Sequence, residues 1–329
     1  MAYKLEDKMV IGVSSRALFD LTKENEIFEK EGLEAFREYQ YKHENDLLKP
    51  GPGFVLIRNL LALNDLADPE QPFVEVVIMS RNSTDTFFRV SNSIDHYGLN
   101  ITRSMLVSGA RLSPYLKAFH TDLFLSAYED DVQNAIDNNI AAGIIYTDHT
   151  YGENIGDANG DDDKKIRIAF DGDAVVFSPE SEAVYKEKGL KAFEINETSK
   201  AYIPLGEGPF TGFIRKLSAI QEKLGPEKCP IRTALVTSRN APAHERVMRT
   251  LREWGIRLDE VFFLGGVEKK EILKAFGAQI FFDDQRVHTD PASEEVPSAR
   301  VPYQGGELAG TNGKGSSKKK AATGKGDKK

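Results

Sequence analysis

Short apolar runs rich in Val, Ile and Phe alternate along the chain with longer stretches of helical period. In the second half, IRIAF (166–170), TALVT (233–237), VFFLG (261–265) and QIFF (279–282) predict buried strands. Between them, AHERVMRTLREWG (243–255) and KKEILKAFG (269–277) predict helices, the first closing at Gly255 as helix C-termini often do. In the first half VIGV (10–13), VEVVIM (74–79) and DLFL (122–125) take the strand places, and AAGIIY (141–146) is a candidate fifth. Strands this continuously apolar are covered on both faces. Their alternation with helices predicts a mainly parallel, doubly wound α/β sheet, in which ligands gather at the carboxyl ends of the strands.

The two halves repeat one another at a shift of 157 residues. Gly32, Leu33, Ala35 and Phe36 recur as Gly189, Leu190, Ala192 and Phe193, and Gly51-Pro52 recurs as Gly208-Pro209. Leu116-Lys117-Ala118-Phe119 returns as Leu273-Lys274-Ala275-Phe276. One constant offset across most of the chain points to two copies of one fold. Ser80-Arg81-Asn82 matches Ser238-Arg239-Asn240 at 158, a one-residue slip that this reading assigns to a surface loop. The expected organisation is a first unit over 1–146, an acidic linker over 147–163, a second unit over 164–305 and a Lys/Gly-rich tail over 306–329. A chain of 329 residues fits two such units better than one core. Residues 179–225 are too many for a simple crossover and predict an inserted cap. Asp157, Asn159 and Asp161 in the linker loosely suggest a calcium loop, but Gly160 is misplaced for one.

Composition narrows the classes. The chain is 40% hydrophobic and 29% charged, enough to build a core. No apolar run approaches the roughly 18 residues of a membrane span, and the N-terminus lacks a signal-like apolar stretch, so a cytoplasmic protein is expected. The single cysteine, Cys229, forms no internal disulfide, and six scattered histidines offer no metal-binding spacing. The net charge of −8 combines a tail of +5 with a body of −13. An acidic body disfavours nucleic acid, leaving the tail as the one stretch suited to a phosphate backbone. A plain solvated tail is the simpler reading.

Polar residues that end the buried strands are the candidate chemistry. IRIAF runs into Asp171-Gly172-Asp173, TALVT ends in Thr237-Ser238, Lys269 opens a helix, and QIFF runs into Asp283-Asp284. Each has a plainer reading, since Asp and Gly also suit turns and helix caps. Together they would crowd three or four carboxylates at one sheet edge. Such carboxylates raise one another's pKa unless a cation neutralises them. Mg²⁺, which takes oxygen ligands and often shares them with a phosphate, is the cofactor this predicts.

This set resembles the four motifs of the haloacid dehalogenase-like (HAD) phosphatases. More narrowly, AFDGDAVVFS, the VTSRNAPAHERV block and IFFDDQ, with SSRALFDL and IMSRNS in the first half, resemble the cytosolic 5′-nucleotidase I family. The resemblance covers nearly the whole chain except the tail. It implies two tandem HAD-like Rossmannoid units, the first without catalytic motifs and the second carrying the cap. It also implies Mg²⁺-dependent hydrolysis of nucleoside 5′-monophosphates through an aspartyl-phosphate. Asp171 would be the nucleophile and Asp173 the acid and base. Thr237 and Lys269 would stabilise the phosphoryl group beside Gly172 and Ser238. The metal would be held by Asp171, the backbone carbonyl of Asp173 and Asp284, with Asp283 ligating or orienting. The resemblance also implies Lys269 in preference to Lys270, because family members place the lysine three residues after the second glycine of the pair, here Gly266.

At the 157 shift, Asp171 and Asp173 face Ser14 and Arg16, Lys269 faces Leu112, and Asp283-Asp284 face Ser126-Ala127; the 158 slip sets Thr237 opposite Met79. The first copy would therefore share the scaffold and not the chemistry. Ser14, Ser15 and Arg16 stand where a phosphate site would be, and Arg suits phosphate, so an effector nucleotide there is one reading. Phosphatase or phosphotransferase action on another small ester, and a non-catalytic nucleotide-binding regulator, are the alternatives. The expected partner is a small-molecule nucleotide, with no membrane; a homo-oligomer is compatible with the sequence. Phe193, Tyr202, Phe210 and Phe213 are the cap aromatics available to a base, or to the core.

Overall fold

In the computed structural model, which describes residues 3–149, 151 and 165–306, every apolar run named above lies on a strand. The first half contains β1 (Met9–Val13), α1 (Ser15–Leu18), α2 (Thr22–Glu31), α3 (Leu33–Lys42), α4 (Phe54–Ala62), β2 (Val74–Ser80), α5 (Phe88–His96), β3 (Arg103–Leu106), α6 (Ser113–Ala118), β4 (Leu123–Ser126), α7 (Glu129–Asp137) and β5 (Ala141–Ile145). The second contains β6 (Ile166–Phe170), α8 (Glu180–Lys188), α9 (Leu190–Ser199), α10 (Thr211–Leu224), β7 (Ile231–Thr237), α11 (His244–Glu253), β8 (Glu260–Phe263), α12 (Lys270–Phe276), β9 (Ile280–Asp283), α13 (Arg286–Ala292) and β10 (Ser298–Arg300). The bounds of β1, β2, α3 and β4 reappear 157 residues later as those of β6, β7, α9 and β9.

These strands form one mixed sheet in the order β3-β2-β1-β4-β5-β10-β9-β6-β7-β8. Read outward from the centre, each half has the same order. All pairs within a half are parallel, and the antiparallel β5–β10 pair, with Ala299 opposite Ile145, joins the halves. The linker position expected to carry Asp157, Asn159 and Asp161, and the Lys-rich tail from 307 on, lie outside the described residues. No helix among the described residues is long and apolar enough to cross a membrane.

Strands β1, β2 and β4 are buried along their whole length, as their unbroken apolar sequences require. In the second half the core beneath the strand ends is aromatic. Phe170 stacks on Phe282 at 5.8 Å, and Phe210 lies 4.6 Å from Phe282 and 6.4 Å from Phe213. Each such ring contributes roughly 1.5–3 kcal/mol by burial alone. The recurring Gly-Pro pairs have a shared cause. Gly51 and Gly208 press against the turn after β1 and β6; a Cβ on Gly208 would lie 2.4 Å from the Val175 carbonyl oxygen, and one on Gly51 2.7 Å from the Phe19 carbonyl carbon. Only glycine lets these backbones meet. A helical pair follows the strand-end turn in both halves, α2–α3 and α8–α9, so the expected insertion is not peculiar to the second.

Candidate active site

The parallel strands β6, β7 and β9 end side by side, and their sequences place polar residues one position beyond the apolar run. The Asp171 N–H donates to the Phe282 carbonyl at 2.8 Å, which fixes the residue after β6 against the end of β9. Lys269, at the start of α12, reaches into this edge and donates to Asp171 Oδ1 at 2.5 Å and Asp283 Oδ2 at 2.6 Å. Its neighbour Lys270 points outward to Glu294 instead, at 2.6 Å. Asp171, Asp283 and Asp284 are all buried, and each offers an oxygen within 4.8 Å of the others.

The three carboxylates are not equivalent. Burial raises the Asp171 pKa to about 7, with Lys269 opposing and Asp283 reinforcing the shift. Burial likewise pushes Asp284 well above the usual carboxylate range, and the charges of Asp283, Glu182 and Asp171 add to it. Asp283 is also buried, yet Lys269 and His288 outweigh that and hold it below its ordinary value. Its oxygens are already engaged: Oδ2 by Lys269, Oδ1 by the Gln285 N–H at 2.9 Å, and both lie near His288 Nδ1. Asp284 Oδ1, by contrast, is buried with no partner. An orphaned carboxylate oxygen beside two further carboxylates fits a divalent cation, which would neutralise the charge that burial penalises.

Gly172 and Thr237 close the floor of the site. A Cβ on Gly172 would lie 3.2 Å from Thr237 Oγ1, so the β6 turn rests directly on this hydroxyl. Thr237 is buried, and its hydroxyl accepts the Arg239 N–H at 3.3 Å; Ser238 is exposed. Asp173 stands apart from the carboxylate cluster. Both of its oxygens accept from Arg239, at 2.6 and 2.8 Å, and Arg239 also pairs with the buried Glu197. Arg246 donates to Glu197 at 3.0 Å and to Glu180 at 2.8 Å, tying α8 and α9 to α11 through one charged network. Burial lowers the proton affinity of Arg239, but the Asp173 and Glu197 carboxylates more than reverse that.

One expectation is revised. The sheet register pairs Ser80 with Leu106 and Thr237 with Phe263, so the residue opposite Thr237 in the first half is Ser80, not Met79. A hydroxyl therefore persists there, and it lies 3.1 Å from Ser15 Oγ. Identity of the Ser-Arg-Asn triplets favours a shift of 158, whereas the sheet keeps 157 through this strand end. Of the cap aromatics, Phe210 and Phe213 are core, Tyr202 is exposed beneath Arg249, and Phe193 lies under the Arg239 guanidinium at 5.3 Å. Tyr303 and Glu182 also belong to the site. The Tyr303 hydroxyl donates to Asp284 and lies 3.0–3.1 Å from the Glu182 oxygens. Neither stands at a strand end, so the strand-end rule passes over both.

Comparison with known proteins agrees with this geometry. Residues 1–307 match the family described as 5′-nucleotidase. Human cytosolic 5′-nucleotidase 1B is 40% identical over 301 residues, a span covering 88% of this chain and 48% of that protein. The chain thus spans about half the length of the curated relative it matches. Among solved structures, a Listeria monocytogenes protein described as a UDP-N-acetylglucosamine 2-epimerase aligns over 91% of this chain and 79% of its own at 10% identity. Its TM-score of 0.22 carries no argument. With the family match running from end to end of the described fold and a relative 40% identical over 301 residues, the chain belongs to the HAD-like cytosolic 5′-nucleotidase family.

Proposed function

We propose that this protein is a Mg²⁺-dependent 5′-nucleotidase that hydrolyses nucleoside 5′-monophosphates to nucleoside and phosphate. The observation that carries the reading is the meeting of Asp171, Asp283 and Asp284 with Lys269 at one sheet edge. The recurrence of element bounds at 157 residues supports two HAD-like units derived by duplication, a first over 1–146 and a catalytic second over 164–305, with α8–α9 as the cap. Cytoplasmic action on a small-molecule nucleotide follows from the family.

Asp171 attacks phosphorus and forms an aspartyl-phosphate, which water then hydrolyses. Lys269 stays close to the attacking oxygen and offsets charge spread over the phosphoryl group, while Thr237, Gly172 and Ser238 face its other oxygens. Asp171, Asp284 and the Asp173 carbonyl would hold Mg²⁺, which would supply charge neutralisation at the transferring group; Asp283 orients Lys269. Asp173 gives a proton to the departing ribose oxygen and takes one from the hydrolytic water, a role typically worth about 10²- to 10⁴-fold. Proton transfer requires Asp173 to part from Arg239.

A phosphate-release screen over nucleoside monophosphates and sugar phosphates, with Mg²⁺ and with chelator, tests this. Metal-dependent release from the nucleotides is expected. A flat response to nucleotides with strong release from a sugar phosphate overturns the substrate, and nucleoside formed in excess of phosphate, with an alcohol present, overturns hydrolysis in favour of transfer.

A further inference from the structure

A cavity of about 440 Å³ opens in the first half, where Ser14 to Arg16 follow β1, Ser80 to Ser83 end β2, and Ser108 and Gly109 follow β3. It occupies the same place in its half as the carboxylate site does in the other, but its chemistry is inverted. Ser14 and Ser15 replace acidic and glycine positions, and Arg16 supplies a cation. Arg16 has no carboxylate partner among the described residues, whereas its neighbour Arg81 is neutralised bidentately by Asp131 at 2.8 Å. The two guanidiniums lie 5.4 and 5.2 Å from the Tyr128 ring. The cavity thus carries one uncompensated positive charge at the strand ends, with hydroxyls around it.

Its far wall is different. Phe28 and Phe36, from α2 and α3, meet edge to face at 5.9 Å, and Gln40 lies beside them with 3% exposure. Neither Gln40 Nε2 nor Gln40 Oε1 has a hydrogen-bond partner, and Asn82 Nδ2 is likewise unpaired. Buried amides are almost always satisfied, so this one calls for a partner. The corresponding position in the second half, Glu197, is fully engaged by Arg239, Arg246 and Ser181. In the first half Arg89, the counterpart of Arg246, turns to Glu24 and the Asp46 carbonyl and leaves Gln40 free.

We infer that this cavity binds a nucleoside phosphate without hydrolysing it, with Arg16 and the strand-end hydroxyls taking the phosphate and the Gln40 amide pairing with the edge of the base. A glutamine amide presents a donor and an acceptor side by side, which matches the paired acceptor and donor of a purine edge. Arg is suited to phosphate, and the volume is that of a small-ligand site. No carboxylate stands where Asp171 does, so the ligand remains intact.

The test uses the full chain carrying Asp171→Asn, in chelator, with adenosine monophosphate as probe and ribose 5-phosphate and adenosine as its parts. Calorimetric titration reads the number of sites. Arg16→Ala and Gln40→Leu are each expected to weaken one site by about 10- to 100-fold, and both parts should bind it more weakly than the whole. Gln40→Leu replaces an unpaired buried amide with an apolar side chain, so the ligand-free protein should melt no lower while its ligand-induced rise in Tm is lost. A merely structural glutamine would show the reverse. Arg16 is only half-buried, and its removal tests the site even where the Gln40 variant misfolds. Unchanged binding in Arg16→Ala overturns the proposal, as does an absence of binding in the parent. If the second half binds no nucleotide, the count falls from one to zero instead of from two to one, which separates the two readings.

Discussion

Replacing Lys269 with methionine keeps most of the side-chain volume and removes an ammonium held 2.5 Å from Asp171 and 2.6 Å from Asp283, all three groups being buried. At an effective dielectric of about 20, each contact corresponds to roughly 6 kcal/mol of Coulomb attraction. The ammonium no longer has to be desolvated, however, and the carboxyls can take up protons. Breaking a buried ion pair by deleting one partner costs about 3–5 kcal/mol net, and that is the expected loss of unfolding free energy in chelator near pH 8. The sign of the pH dependence follows from linkage. Without Lys269, Asp171 holds its proton still more tightly in the folded than in the unfolded chain, so stability falls as pH rises from the unfolded carboxyl value of about 4 through the raised folded one. The deficit should therefore widen between about pH 5 and about pH 8. Mg²⁺ should reduce it by restoring positive charge. Urea unfolding followed by circular dichroism, at both pH values and with chelator or Mg²⁺, measures this. A variant within about 1 kcal/mol of the parent at pH 8, insensitive to pH and metal, would refute the reasoning.

Asp171→Asn should lower turnover by about 10³-fold or more while the urea midpoint falls no further than in Lys269→Met; residual activity above a contamination control removes Asp171 from the nucleophile's role. Because burial lifts Asp171 to about 7 and Asp284 well above its usual range, a divalent ion must displace protons. Mg²⁺ affinity should then rise with pH by up to about tenfold per unit below 7 for each proton displaced, and calorimetry showing equal affinity at about pH 6 and about pH 8 contradicts it. Gly208→Ala drives a Cβ to 2.4 Å from the Val175 oxygen and 2.6 Å from the Phe177 oxygen, both backbone, and should cost about 3 kcal/mol. Gly212→Ala, on α10 with no atom within 4 Å of the added carbon, should instead stabilise by about 0.5–1 kcal/mol; equal effects at the two glycines would show that the backbone contact does not matter.

How much of this was legible in the sequence depended on range. The strands buried on both faces announced themselves because burial forces an unbroken apolar run, as in IRIAF and VEVVIM. Strand β3 has a half-exposed pattern and β10 only three residues, so neither carries a periodic signal. The β5–β10 seam pairs residues some 150 positions apart and leaves no local trace. At the site, Asp171, Lys269, Asp283 and Asp284 could be found because parallel sheets set function just beyond strand ends. The Asp173–Arg239–Glu197 network and the Tyr303–Asp284 contact join separate elements by hydrogen bonds that no spacing rule encodes. The mistaken opposite of Thr237 has the same lesson: three identical residues outweighed register in the sequence, whereas backbone pairing in the sheet admits one alignment only.

The central claim, a divalent cation seated among the second-half carboxylates, is tested most directly by locating one. Crystals of the full chain grown with Mn²⁺ in place of Mg²⁺ should give an anomalous peak about 2.1 Å from oxygens of Asp171 and Asp284, lost in Asp284→Asn. A map with no such peak at saturating Mn²⁺, or a peak retained in the variant, would contradict the account.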